Sequence, residues 1–491
     1  MAESVMNDGT YMRQYPYGRQ AAHIIGYTGT GSAGIEAAEN FSLLGMNNEV
    51  AQRASSIFGQ NDKILSGDNI RLTIDMDIQK LAFNLLGDNI GAAVVIDPTT
   101  GSIIAMASSP GFDPNSVNRD WDKLSTDENS PMLNRATQGL YPPGSTFKIV
   151  TALAAMRSFD DVDSFSFDCG GEIQLGNKII HCFNSKVHGI LSIDSGMACS
   201  CNCLFAQIGD IVGAGRLRET ADSLHINSHI DFNLPLSDSI MSLNSSSNSS
   251  ELAETSIGQG RTLVTPMYMG MLISAIANGG TMMQPYMVES VTDGEGNVKA
   301  TTVPKILDRV MTADEADRIA KMLTEVVNSG TGSAASLRGY QAAGKTGTAE
   351  NSKEYDHSWF VGYASTDKPQ VAVAIILENV SGSQRAAPIG GKLMQAVLDK
   401  KNPQSSSSSE SYIPKAELEQ NNDEDVINSE TGIIEDAEIR DDGYVIGSDQ
   451  MENIEENGDN NSNENTPGNG NLSVPGEFED MYGNELSLVN K

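Results

Sequence analysis

An α+β fold, with one antiparallel sheet covered by helices and joined to a helical subdomain, follows from three patterns in the 491-residue sequence. Two apolar runs around Pro98-Thr99-Thr100-Gly101 read as a β-hairpin. Helical periodicity dominates the middle of the chain. Three further strand-like runs, 340–348, 357–365 and 370–379, precede a last helix in "GGKLMQAVLDK".

Residues 1–68 are Gly-rich and irregular, as in "GYTGTGSAGIE". They are too short for an independent core and read as a truncated remnant of an N-terminal pedestal module. A short strand over Ile70–Ile74 then leads to a helix that places Ile78, Leu81, Ala82, Leu85 and Leu86 on one face. The hairpin "AAVVIDPTTGSIIAMAS" follows, then a long polar loop, the helix "STFKIVTALAAM" and more helical segments to about 223. "MYMGMLISAIA" at 267–277 fits a buried helix. Thr312 and Glu315 make a capping box for "ADEADRIAKMLTEVVNS". The expected division is 1–68, a main domain over 69–402, and a tail over 403–491.

The tail holds 22 acidic and 3 basic residues, a net charge of −19 out of −33 for the whole chain. Runs such as "ENGDNNSNENTPGNGN" cannot bury enough apolar surface to offset chain entropy, so a disordered acidic extension is expected. The body is also net acidic, at −14, which argues against a nucleic-acid partner. No stretch approaches the roughly 18 apolar residues of a membrane span, and the N-terminus lacks a signal-peptide pattern. Either the protein is cytosolic or its export and anchor segment lies outside this chain.

Cys169 and Cys182 bracket a hairpin-like "DCGGEIQLGNKIIHC", which suits a disulfide in an oxidising compartment. A zinc site using cysteine and His181 is the rival reading, although the spacing matches no standard zinc pattern. The run Cys199-x-Cys201-x-Cys203 reads as helix packing rather than ligation.

The stretch "YPPGSTFK" sets two prolines and a glycine before Ser145, with Lys148 three positions later. A serine hydroxyl needs a base within hydrogen-bond reach to act as a nucleophile. On a helix, i and i+3 share a face, so Lys148 can serve Ser145 if burial or a neighbouring charge lowers its pKa. The alternative is an N-cap serine beside an exposed lysine. Ser-x-x-Lys recurs at Ser365 and Lys368, but there the lysine precedes Pro369 in an apparent turn. Lys345-Thr346-Gly347-Thr348 is the only Lys-Thr/Ser-Gly sequence; Gly347 would let a substrate backbone lie along a strand edge, where Lys345 and the threonines receive a carboxylate. The alternative there is an edge-strand lysine and a turn. Ser-x-Asn occurs at Ser200 and Asn202, and also at 116, 242 and 246; only the first lies in an apolar helical context between the other two motifs. Ser-x-x-Lys, Ser-x-Asn and Lys-Thr-Gly in that order are far more specific than any one of them.

With these motifs, and with "GIEAAEN", "IDPTTGSIIAMASSPGFDPN", "NRATQGLYPPGSTFKIVTAL", "CSCNCLFAQIG", "SIGQGRTLVTPMYM", "AAGKTGTAE" and "HSWFVGYA", the chain resembles the class B (monofunctional) penicillin-binding proteins over about residues 15–400. The resemblance implies a penicillin-binding, serine β-lactamase-like transpeptidase domain at 69–402 that cross-links peptidoglycan stem peptides. Ser145 would attack the penultimate D-alanine of a D-Ala-D-Ala stem, Lys148 would take its proton, and Ser200 would relay a proton to the leaving amine. Asn202 would bind the substrate amide. Lys345, Thr346 and Thr348 would hold the terminal carboxylate, and the backbone N–H groups of Ser145 and Thr348 would form the oxyanion hole. β-Lactams would acylate Ser145, and no metal or cofactor is called for. The implied setting is the extracytoplasmic face of a bacterial membrane, with the cell-wall elongation or division machinery as partner. Family members usually carry a membrane helix and a fuller pedestal; in this sequence both read as missing or cut short, so membrane attachment is an expectation drawn from the resemblance. His188-Gly189 matches a family position and is read as structural. Rival readings are a D,D-carboxypeptidase, a β-lactamase using Glu219, Glu251 or Glu254 for deacylation, and a sensor that binds β-lactams or muropeptides without turnover.

Overall fold

The computed structural model describes residues 1–7, 10–29, 31–45, 67–350, 355–380 and 385–403. The acidic tail expected to be disordered lies outside the described residues, apart from Pro403. Its central element is a five-stranded antiparallel sheet formed by β1 (Gly91–Ile96), β2 (Ile103–Ser109), β3 (Ala342–Ala349), β4 (His357–Ala364) and β5 (Val371–Leu377), in the order β3-β4-β5-β1-β2. The main helices are α1 (Met76–Leu86), α2 (Lys148–Met156), α3 (Ile193–Ala198), α4 (Asn202–Val212), α5 (Pro266–Ala277), α6 (Ala313–Asn328) and α7 (Ala386–Lys401).

β1 and β5, the interior strands beside β2 and β4, are apolar throughout because both faces of the sheet are covered. Ala92, Val94, Ile96, Ala372, Ala374 and Ile376 pack into one core with α5, α2 and α4. The alternate residues Ala93, Val95, Val371, Val373 and Ile375 pack into a second core with α1 and α7. The period of two along each strand therefore sorts its side chains between two helical layers. The expected hairpin, the strand block and the buried helix at 267–277 are all present. Two helix starts follow from side chains the sequence exposes: Asp75 caps α1, and Thr312 and Glu315 make a reciprocal capping box on α6.

The segment before residue 223 is less helical than its periodicity suggests. Ser166–Cys169 pairs with Gly189–Ser192, and Glu172–Leu175 pairs with Lys178–His181, giving two short ribbons. The second is the hairpin expected between Cys169 and Cys182. The first escapes local reading because its strands are joined across the other ribbon. Residues 1–45 also differ from an irregular remnant. Glu3–Asn7 pairs with Thr10–Gln14, and Tyr15, Ile24, Ile25 and Ile35 bury themselves in the first core.

One buried ion pair joins distant segments near the end of β5. Arg135 donates through Nε to Glu378 at 2.8 Å, and the Tyr141 hydroxyl donates to the same carboxylate oxygen at 2.8 Å. The neighbouring carboxylate and the burial of the ring hold the Tyr141 hydroxyl protonated far above its usual range. Removing one partner strands a buried guanidinium, so Glu378→Ala is expected to lose about 3–5 kcal/mol of stability. Chemical denaturation of the two proteins measures that difference, and a loss below about 1 kcal/mol would mean the pair is not an anchor.

Candidate active site

The corner before Ser145 folds as a 3₁₀ turn over Gly144–Phe147, and the α-helix begins only at Lys148. This corrects the expectation that Ser145 lies in the first α-helical turn. The consequence for facing is small, because i and i+3 eclipse in a 3₁₀ turn. The corner rests on β3 and β4. Trp359 Nε1 donates to Pro142 O at 2.9 Å, Thr146 Oγ1 donates to Pro143 O at 2.7 Å, and Gly144 N donates to Gly258 O at 2.9 Å.

Glycine is required at two of these contacts. Gly144 has φ of +53°, and a Cβ there would stand 2.3 Å from Thr348 O. Gly258 has φ of +76°, and a Cβ there would stand 2.0 Å from Gly144 O. Gly347 answers to the same packing: its Cβ would press at 3.0 Å on Pro143 O and on the Trp359 Cβ. β3 is an edge strand of the sheet, so its free edge remains available to an extended peptide.

A cleft of about 1020 Å³ opens over this corner, lined by Ser145, Ser200, Asn202, Thr346 and Thr348 among others. Lys148 and Lys345 are wholly buried beneath it. Lys148 Nζ donates to Ser200 O at 2.7 Å, Ser200 Oγ at 3.2 Å and Asn202 Oδ1 at 2.7 Å. Lys345 Nζ donates to the same Ser200 Oγ at 2.8 Å and to Thr346 O at 3.1 Å. The three distant motifs therefore meet on one hydroxyl. None of the three Lys148 contacts is to Ser145, which lines the cleft above. Catalytic contacts of this kind often close only when substrate arrives.

Burial sets the electrostatics. It pushes the Lys148 ammonium down to about 8, with the nearby cysteine sulfurs opposing the shift. Burial and then the charge of Lys148 push Lys345 well below its ordinary value. Two ammonium groups sharing one hydroxyl in a dry site repel each other, so the pair favours a state with one lysine neutral.

Ser200 itself has φ of +58°, in the left-handed region that a serine enters at a cost of about 1–3 kcal/mol. It follows α3, and the next amide, Cys201 N, donates back to Gly196 O at 2.9 Å. Asn202 begins α4, and its Nδ2 donates to His181 O at 2.9 Å.

Several site residues carried no sequence signal. Thr331 accepts from Thr346 Oγ1 at 2.8 Å and lines the cleft. Gly258 and Glu378 reach the corner, at Gly144 and at Tyr141, from positions more than 100 residues away in sequence. Of the glutamates weighed for deacylation, Glu254 lines the cleft, where it pairs with Lys178. The second Ser-x-x-Lys is a turn after β4, in which the Ser365 hydroxyl donates to Lys368 O at 3.1 Å. Cys169 and Cys182 are free thiols 3.7 Å apart rather than a disulfide. His181 faces Glu172 at 3.3 Å and stands outside the thiol cluster, where His188 takes its place.

Residues 91–395 match the penicillin binding protein transpeptidase domain, and residues 1–72 match the penicillin binding protein A dimerisation domain. The chain belongs to the penicillin-binding protein transpeptidase family. It is 30% identical over 433 residues to the peptidoglycan D,D-transpeptidase PbpA of Mycolicibacterium smegmatis, covering 81% of this chain and 87% of that one. The D,D-transpeptidase domain of a peptidoglycan glycosyltransferase from Eggerthella lenta superposes with a TM-score of 0.75 at 34% identity, covering 82% of this chain and 96% of that one. Penicillin-binding protein A of M. tuberculosis, solved as an imipenem acyl-enzyme complex, superposes with a TM-score of 0.76 at 30% identity over 81% and 95% of the two chains. The class B resemblance read from the motifs, and the α+β fold it implied, are thereby borne out.

The contact of Gly144 with Thr348 O makes a sharp test of the corner. Gly144→Ala places a methyl group against that carbonyl and displaces Ser145, so covalent labelling by a fluorescent penicillin is expected to slow by about 100-fold. Stopped-flow or quenched labelling measures the rate; an unchanged rate would mean the corner need not rest on β3.

Proposed function

We propose that this chain is a peptidoglycan D,D-transpeptidase that works through a Ser145 acyl-enzyme and is acylated by β-lactams at the same residue. The observation that carries this reading is the convergence of Ser145, Lys148, Ser200, Asn202, Lys345, Thr346 and Thr348 on one cleft at the free edge of β3.

A stem peptide ending in D-Ala-D-Ala lies along β3 as an added strand. Its terminal carboxylate meets the Thr346 and Thr348 hydroxyls, with the charge of Lys345 beneath them. Ser145 Oγ attacks the penultimate carbonyl carbon, and its proton passes to neutral Lys148. The oxyanion is held by the Ser145 and Thr348 backbone N–H groups. As the C–N bond breaks, Ser200 Oγ donates a proton to the departing D-alanine amine and recovers one from a buried lysine. Asn202 orients Lys148 through Oδ1 and offers its remaining N–H to the substrate amide. An amine of a neighbouring stem then attacks the ester, Ser200 and Lys148 take up its proton and pass it to Ser145 Oγ as the C–O bond breaks, and the free serine is restored. None of these steps requires a metal or a cofactor.

The acceptor separates this reading from a D,D-carboxypeptidase, where water replaces the amine. The family match and the transpeptidase relatives favour the amine. A β-lactamase needs a base poised for water, and the pairing of Glu254 with Lys178 withholds the one cleft glutamate weighed for that role. A non-turnover sensor is disfavoured by a complete set of proton-transfer groups. Among the described residues no helix is long and apolar enough to cross a membrane. The extracytoplasmic membrane face and a place with the cell-wall elongation or division machinery follow from the substrate, which is assembled there.

Three measurements test the assignment. Ser145→Ala is expected to abolish covalent penicillin labelling, while Ser365→Ala leaves it intact; labelling retained in the first variant refutes the nucleophile. Lys148→Ala is expected to lower the acylation rate by at least about 100-fold with the cooperative fold retained. Incubation of a D-Ala-D-Ala stem with an amine acceptor should give the cross-linked product in excess of the hydrolysed one. Hydrolysis alone points to the carboxypeptidase, and no turnover to the sensor.

A further inference from the structure

Behind the Ser200–Asn202 loop lies a cluster that the transfer chemistry does not use. Cys169 ends one ribbon strand, Cys182 follows another, His188 precedes a third, and Cys201 is the middle residue of Ser200-Cys201-Asn202. The three thiols are buried. Their sulfurs and the histidine nitrogen all lie within 4.8 Å of one another. The Sγ–Sγ separations are 3.7 Å for Cys169–Cys182, 3.6 Å for Cys182–Cys201 and 3.5 Å for Cys169–Cys201, and Cys169 Sγ stands 3.4 Å from His188 Nδ1.

Those spacings are nearly the edges of a metal tetrahedron. A zinc ion with bonds of about 2.3 Å to sulfur and about 2.05 Å to nitrogen sets S–S edges near 3.8 Å and S–N edges near 3.6 Å. Leu204 N donates to Cys201 Sγ at 3.4 Å, the kind of outer hydrogen bond that orients a thiolate ligand. Cys203 offers its thiol to Ile180 O at 3.6 Å and stands 3.4 Å from Cys182, but it is not one of the four groups that lie mutually within 4.8 Å. Cys199 is half-buried on the cleft side and bonds only toward Gly196 O.

We propose that Cys169, Cys182, His188 and Cys201 form a structural zinc site that clamps the Ser200–Asn202 loop to the two ribbons. Each ligating cysteine gives up its S–H proton to solvent as the ion binds, and His188 ligates through neutral Nδ1. Three thiolates and one imidazole close the coordination shell, so the ion takes no part in acyl transfer. Its effect passes through Cys201, whose neighbours on either side are Ser200, held in a strained conformation, and Asn202, which holds Lys148. The site also keeps the Cys169 and Cys182 thiols from oxidising to a disulfide. This inference is independent of which acceptor the enzyme uses.

Metal analysis of the full chain, loaded with zinc and then desalted, is expected to find about one zinc per chain. Cobalt loading should give the sulfur-to-metal charge-transfer bands and tetrahedral visible bands of thiolate ligation. Cys201→Ser and His188→Ala should each lose more than about 100-fold in zinc affinity, and Cys199→Ser should keep the full stoichiometry. Chelation should slow penicillin acylation of Ser145 and restore reactivity of the buried thiols toward a thiol reagent. The cobalt spectrum is read on the unaltered chain, so a variant that fails to fold leaves the test intact. A chain that takes up no zinc or cobalt overturns the site, as does a Cys169–Cys182 disulfide in the protein as purified. Acylation at an undiminished rate after complete zinc removal overturns its link to the loop.

Discussion

The Ser200 hydroxyl is the point on which the site is organised, because two buried lysines reach it from opposite ends of the sequence. Lys148 comes from the helix behind Ser145, the proposed nucleophile, and Lys345 from the edge strand of the sheet. Neither has solvent to stabilise its charge, and each raises the cost of charging the other. One lysine is thus held ready to accept a proton while the other keeps the cleft electropositive. The hydroxyl between them can donate to one and accept from the other, so under the proposed mechanism a proton taken up by Lys148 has a route across the cleft floor.

The rest of the fold is arranged to bring those lysines together without water. The sheet is covered on both faces, and so β3 is rigid along the length that carries Lys345. The corner at Ser145 is fixed to β3 by contacts that admit only glycine at positions 144 and 258. Trp359 and the Arg135–Glu378–Tyr141 set hold the corner from below. Ser200 bears the strain of a left-handed backbone, repaid by hydrogen bonds from α3 and by the burial of the cysteines beside it. A residue in a costly conformation needs surroundings that over-determine it.

The sequence made the sheet legible because β1 and β5 are buried on both sides and carry unbroken apolar runs. It made a helix start legible where a capping side chain announces it, as at Thr312. The three motifs were legible through their order and the exclusion of their duplicates at Ser365, Ser116, Ser242 and Ser246. What stayed hidden is non-local or backbone-borne. The contact of Thr331 with Thr346, and of Gly258 with Gly144, joins residues that share no local pattern. The left-handed turn at Ser200 has no compositional mark, since the usual glycine is replaced by the functional residue itself. The thiol cluster defeated spacing rules because its ligands come from two ribbons and a loop, and the histidine that joins them is His188, whereas His181 turns outward toward Glu172.

The most direct measurement of the central claim is the pH dependence of the rate constant for acylation of Ser145 by a penicillin, taken on the intact chain. A base active only when deprotonated loses activity as its proton returns, so the rate should fall as pH drops through about 8 and level off above it. A rate that is flat from pH 6 to pH 10, or one still climbing near the ordinary lysine value of about 10.4, would contradict a buried, depressed lysine as the proton acceptor.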